Sequence, residues 1–252
     1  MLLRRVTENV KNQNWFAVGI DFIIVVVGVF IGLQVQDWND SRQRANEEQI
    51  LLHRLLAETA SLISVHEQEL DSLQSLEDAV TALNPVLFSH TPSRALTESE
   101  CGFILGSHVI RRPTDELIVL DELIDTGRFD LLQDPELKSR LRDYLLFRER
   151  GRAHYAEVIN ELFRLHSRYP ELLEIQLVAD SVDRNGSSRG LSGRGFRWGR
   201  KCDVEAMRAS TAFLNEYADN LSRTSSVTRF VEQRLARLEA IHEKLRSSTR
   251  AQ

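Results

Sequence analysis

The stretch from Trp15 to Gln36, WFAVGIDFIIVVVGVFIGLQVQ, constrains what the rest of this chain can be, because Asp21 is the only formally charged residue in it. A run of about twenty apolar residues matches the hydrocarbon thickness of a bilayer. Its position would also suit a cleaved secretory signal, since basic residues precede it. However, the run exceeds the roughly 7 to 15 residues of a signal core, and Gly32-Leu33-Gln34-Val35-Gln36 lacks an A-x-A-like cleavage site. A retained signal-anchor is the expectation.

Flanking charge sets the expected orientation. Arg4, Arg5 and Lys11 precede the span, whereas Arg42 and Arg44 follow it among Asp37, Asp40, Glu47 and Glu48. The positive-inside rule then places residues 1–14 in the cytoplasm, 15–36 in the membrane and 37–252 outside it. In a bacterium this is a single-pass inner-membrane protein with a periplasmic domain. The first 14 residues are too few to fold, so any cytoplasmic output is expected from another protein. The net charge of -5 leaves no basic footprint for nucleic acid. Cys101 and Cys202 both follow the span. An oxidising compartment favours a bond between them, worth about 4 to 5 kcal/mol in the chain-entropy model, with two unrelated buried thiols as the alternative.

Within the span, Gly28 and Gly32 form G-x-x-x-G, a spacing that lets two helices approach closely and otherwise simply faces lipid. Asp21 is either a functional intramembrane acid or a carboxylate at head-group depth. Trp15 and Trp38 stand where interfacial anchors belong. The order Asp21, Gly28, Gly32-Leu33-Gln34 and Trp38-Asn39-Asp40 resembles the signature of an uncharacterised bacterial family of single-span membrane proteins. That signature has a Gly-Glu pair, an Ile/Leu/Val run with a glycine and a Leu-Gln-x-x-x-Trp-Asn-Glu exit. Here Ile20 replaces the usual Gly, while Asp21 and Asp40 replace Glu. The resemblance covers about residues 16 to 42 and implies topology without implying an activity.

Beyond the span the expected fold is all-α: the transmembrane helix continues into an antiparallel long-helix bundle with short inserted helices. From Ser41 to Leu83 no Pro or Gly occurs, and leucines recur at threes and fours from Leu52, a coiled-coil-like stripe. His66 falls on or beside that stripe, as a core histidine or a ligand. Asn84-Pro85 ends the helix. Thr97-x-x-Glu100 is a capping box opening a helix from Cys101 to Ile110. A short helix from Thr114 or Asp115 closes at Gly127, its acids Asp115, Glu116, Asp121, Glu122 and Asp125 expected to face solvent. Asp134-Pro135 starts a helix that runs to about Arg168. Pro170 starts another, Glu171 to about Ser181. A mobile Gly/Arg loop over 184–201 follows, with Arg184, Arg189, Arg194, Arg197, Arg200 and Lys201 and no acid. It is the candidate contact for an anionic surface or acidic partner, or else a solvated loop. The C-terminal part is helical, with a hinge at Arg223-Thr224-Ser225-Ser226 and fraying after Arg246.

Chemistry leaves little trace. A di-iron or di-manganese bundle needs two Glu-x-x-His motifs; only Glu239-Ala240-Ile241-His242 occurs, because His154-Tyr155-Ala156-Glu157 reverses the order. Serines lie scattered in loops without a His and acid framework, and there is no P-loop and no Cys/His spacing for zinc. No cofactor or catalytic residue is assigned, and a non-enzymatic role is expected. The leading expectation is an interaction or scaffolding subunit of an envelope complex, embedded in the bilayer, homo-oligomeric or paired with another membrane protein. The alternative is a ligand-binding sensory bundle, similar in outline to extracytoplasmic four-helix receptor domains, that signals through a partner span.

Overall fold

The computed structural model describes residues 15–89, 94–112, 114–179 and 196–250, with side chains from residue 19 onward. The first helix, α1 (Trp15–Thr81), joins the apolar span to the soluble part without a break over 67 residues. At 1.5 Å per residue that is about 100 Å. Among the described residues one helix is long and apolar enough to cross a membrane, and its apolar window is not buried inside the fold. Side chains from 19 to 46 are exposed apart from half-buried Asp21. From Glu48 onward one face turns inward, carrying Leu51, Leu52, Leu55, Thr59, Leu62, His66 and Val80. The expected continuous helix and its stripe are both present. A short α2 (Asn84–Phe88) with Pro85 in its first turn follows.

Two inserted helices are held by caps of different kinds. In α3 (Glu98–Gly106) the capping box forms as expected: Glu100 N–H donates to Thr97 Oγ1 at 3.2 Å, and the Glu100 carboxylate accepts from Thr97 N–H at 2.8 Å. This helix is shorter than the expected Cys101 to Ile110. In α4 (Ile118–Asp125) the N-cap position is Leu117, which has no side-chain acceptor. Glu58 of α1 replaces it, accepting the backbone N–H groups of Ile118 and Val119. A carboxylate there also suits the positive end of the helix dipole. At the far end Gly127 takes φ 68°, and Gly127 N–H and Arg128 N–H donate to Ile124 and Leu123 carbonyls. That is a Schellman closure, and only glycine adopts it freely. A 3₁₀ turn (Phe129–Leu131) leads on.

The next long helix, α5 (Pro135–Glu161), starts where Asp134 accepts from Glu136 and Leu137 N–H at 2.8 and 3.1 Å. It stops seven residues before the expected Arg168. Asn220 explains the break: its side chain accepts from Phe163 N–H and donates to Phe163 C=O, both at 2.8 Å, so a non-helical backbone is satisfied there. A single turn, α6 (Leu165–Arg168), follows. The expected helix from Glu171 to Ser181 is instead β1 (Leu173–Ala179), antiparallel to β2 (Phe196–Cys202), which occupies the end of the expected Gly/Arg loop. Leu173, Ile175, Leu177 and Ala179 alternate at the strand period, and β2 offers Phe196 and Trp198 opposite Ala179 and Leu177. Then come α7 (Val204–Ala209), capped by Asp203, and α8 (Thr211–Arg250). The expected hinge at 223–226 is absent, because Thr224 and Thr228 hydroxyls bond back to the carbonyls of Asn220 and Thr224 without breaking the helix. Nor does α8 fray at Arg246; it runs to Arg250.

Three long helices thus carry the bundle, α8 running antiparallel to α1. Two apolar cores result. The one nearer the span joins Leu51, Leu55 and Leu62 to α4, the first half of α5 and Leu238, Ile241 and Leu245 of α8. The distal one joins Val80, Leu83 and Leu87 to α3, α6, the start of β1 and Phe213 and Tyr217. The Cys101–Cys202 disulfide, at a sequence separation of 101, lies in the distal core and ties β2 to α3. Glu100 adjoins it. Paired hydrogen bonds from Arg94, together with that from Thr97 N–H, lower its carboxyl from the ordinary 4.5 to about 2. A depressed folded-state pKa stabilises above the unfolded value and is lost as pH falls through the folded one. The stability gap between wild type and Glu100→Gln, measured by urea unfolding, is therefore expected to be full at pH 6 and to shrink between about pH 4.5 and 2; a pH-independent gap would contradict this role.

Candidate functional site

Elements of the anchor stand apart from the fold. A Cβ at Gly28 or Gly32 would meet nothing within 4 Å, so neither glycine is needed for packing inside this protein. Trp38 is exposed, with the Arg42 guanidinium 5.6 Å from its ring centroid, a cation–π contact at the expected boundary. Trp15 begins α1, and its side chain lies outside the described residues.

The basic set of 184–201 is divided. Arg184, Arg189 and Arg194 lie outside the described residues. Arg197 pairs with Glu98 of α3. Arg200 lies across Gly102, where a Cβ would meet its Nη1 at 2.7 Å, so glycine at 102 provides the seat for this side chain. Lys201 is exposed. Two of the six positions are therefore engaged in holding the hairpin to α3. One face of the hairpin exposes apolar residues: Ile175, Leu177, Phe196 and Trp198 are 44% to 52% exposed. Ile175, Trp198 and Arg200 also border a cleft of ≈ 330 Å³ against α3, with His108 and His166 on its wall. These two rings lie 5.4 Å apart, and burial, reinforced by the neighbouring His166, pushes His108 down. No group of three or more His, Cys, Asp or Glu fit to hold a metal occurs among the described residues.

Between the two cores lies a polar layer for which sequence periodicity offers no hint. His66 is fully buried, with Nδ1 3.2 Å from Glu69 Oε2. Asp115 is 2% exposed rather than solvated, and its carboxylate accepts from Arg152 Nε and Nη2 at 2.8 to 3.2 Å. Tyr144 OH donates to the Asp115 carbonyl at 2.8 Å, and Tyr155 OH to the Ile110 carbonyl at 2.9 Å. Burial pushes both phenols up. Asp121 receives a two-pronged contact from Arg148, and Glu122 pairs with Arg54. Of the acidic cluster expected to face solvent, Glu116, Glu122 and Asp125 are exposed, Asp121 is half-buried and Asp115 alone is buried; ion pairs with Arg54, Arg148 and Arg152 fasten residues 115–122 to α1 and α5. Arg234 sits in the same layer.

No family model, curated protein or solved structure matches this chain.

Breaking a buried ion pair by removing one partner costs more than breaking an exposed one. Arg152→Met, which strands the Asp115 carboxylate, is expected to lower the unfolding free energy by about 3 kcal/mol. Arg237→Met, which opens the exposed Asp143 pair, is expected to cost under about 1 kcal/mol. Equal urea midpoints for the two variants would show that Asp115 does not depend on Arg152.

Proposed function

We propose that this protein is a membrane-anchored interaction or scaffolding subunit of a bacterial envelope complex. Its span crosses the inner membrane with the N-terminus in the cytoplasm, and residues 37–252 form a periplasmic domain. The resemblance of residues 16 to 42 to a family of single-span membrane proteins supports that topology. The observation that carries the functional reading is the β1–β2 hairpin. A two-stranded ribbon with exposed Ile175, Leu177, Phe196 and Trp198 is a costly surface for a soluble domain. Here it is pinned by a disulfide and by Arg200 on Gly102. Such rigidity lowers the ordering cost of binding.

The occupant is a partner protein with an acidic rim around an apolar patch, since the segment from Arg184 to Lys201 carries six basic residues and no acid. The anchoring bilayer is a poorer candidate. Between Trp38 and Val80 α1 rises about 63 Å, so the distal core and its hairpin stand well away from the head groups.

A photo-crosslinker in place of Trp198 in native membranes is expected to capture one stoichiometric partner. Phe196→Ser in the same background is expected to reduce its recovery at least ~10-fold with little change in Tm, as for an aromatic hot spot. Undiminished recovery, or no specific adduct, would overturn the hairpin as the docking surface. The anchor generates a separate expectation. Because neither glycine packs inside this protein, Gly28→Ile with Gly32→Ile leaves insertion and fold unchanged while abolishing association between spans, read by crosslinking in mild detergent. An unaltered oligomeric state would reduce the glycines to lipid-facing residues.

A second reading, a ligand-binding sensory bundle acting through a partner membrane protein, is favoured by a groove of ≈ 580 Å³ beside α1. Val65, Leu73, Leu76, Ile110 and Arg112 line it. A metabolite that raises Tm without changing crosslink recovery would favour this reading over the scaffold.

A further inference from the structure

Among the described residues the polar layer contains a buried cation without a hydrogen-bonded counterpart. Arg234 of α8 is 2% exposed, and its Nε and Nη1 are buried with no hydrogen-bond partner among the described residues. Asp115 and Glu69 act on it only electrostatically, and burial outweighs them, pushing the guanidinium down. The acids nearby are engaged elsewhere: Asp115, Glu116 and Glu149 with Arg152, and Asp121 with Arg148. A buried guanidinium in this state is strongly unfavourable unless a negative charge joins it.

The surroundings offer a place for that charge. Arg234 borders a small cleft between the segment around Arg112 and Asp115, the middle of α5 and α8. Gly151 opens it from the α5 side, because a Cβ there would lie 3.1 Å from Arg234 Nη2. Arg112, also on the wall, has no ion-pair partner among the described residues. Three guanidiniums therefore face the cleft against one lining carboxylate, Asp115, which Arg152 already occupies. The hydroxyl of Tyr155 and Nε2 of His154 are committed to Ile110 and Ser226. The cavity volume is ≈ 10 Å³, room for about one small occupant. A tetrahedral oxyanion is too large, and a water molecule brings no charge.

We propose that this cleft is a binding site for a small monovalent anion, a halide or the end of a carboxylate, held between Arg234 and Arg112. The site is independent of the docking surface assigned to the hairpin.

The test uses the full-length protein in detergent at fixed ionic strength, with sodium methanesulfonate, whose tetrahedral head is excluded, replaced stepwise by sodium chloride, bromide or acetate. A saturable rise in Tm of several degrees above methanesulfonate is expected, as for any ligand that binds only the folded state. A rise with chloride and bromide identifies a halide site, and a rise with acetate alone identifies a carboxylate end. Arg234→Met is expected to abolish the rise, and Gly151→Ala to raise the half-saturating concentration at least ~10-fold, whereas Arg237→Met keeps it. The same Tm in all four salts, or an undiminished rise in Arg234→Met, overturns the proposal. Should Arg234→Met fail to fold, Gly151→Ala decides alone: an unshifted half-saturation overturns the site.

Discussion

The burial of one stripe of α1 beneath α8 is the contact on which the rest of this structure depends. A helix that leaves an apolar span and continues into water has one face to cover, and no flexible connection lets it fold back on itself. Here α8, 40 residues long and antiparallel, provides the cover along most of the soluble length. The third side changes midway. Near the span it is α4 and the first half of α5, and beyond that α3, α6 and the hairpin base. Two apolar cores rather than one follow from that change of partner.

The polar layer sits at the changeover. Irregular segments at 110–112, 114–117 and 162–164 pass close to the core there, and a backbone that is neither helix nor strand still carries donors and acceptors that must be satisfied. Side chains from the long helices do this. Tyr155 and Tyr144 reach the carbonyls of Ile110 and Asp115, and Asn220 serves both backbone groups of Phe163. Ion pairs from α5 then hold residues 115–122 in register. The same crowding of arginines that fixes these segments leaves Arg234 without an ion-pair partner among the described residues, so the layer is both a structural joint and a highly charged interior.

Features that were legible in the sequence are those whose cause is local. The span, the stripe on α1, the box at Thr97 and Glu100, the start at Asp134-Pro135 and the glycine closure at Gly127 each depend on residues within one or two turns. The hairpin was not legible for the opposite reason. Pro170 reads as a helix start, and the alternation of Leu173, Ile175 and Leu177 is too short to outweigh it without the partner strand at Phe196–Cys202. Phe196 and Trp198, two apart in a glycine-rich run, were the available signal. Glu58 capping α4 and Arg152 on Asp115 join residues 37 to 61 positions apart. No periodicity encodes such pairs, and among the many arginines of α5 and α8 nothing local marks Arg234 as different.

Continuity of α1 ties the orientation of the span to that of the domain. At 3.6 residues per turn, Leu55 lies about 180° around the helix from Gly28, and Leu62 about 160°. The glycine face of the apolar span therefore points away from the face that α8 covers. Exposed Ile50 lies five turns above Gly32 on the same line, extending that face past the apolar span. Two spans packed through Gly28 and Gly32 would direct their bundles outward, back to back along α1, with no clash between the α8 sides. The geometry that buries the stripe of α1 is thus the same geometry that leaves its opposite edge free for a second helix.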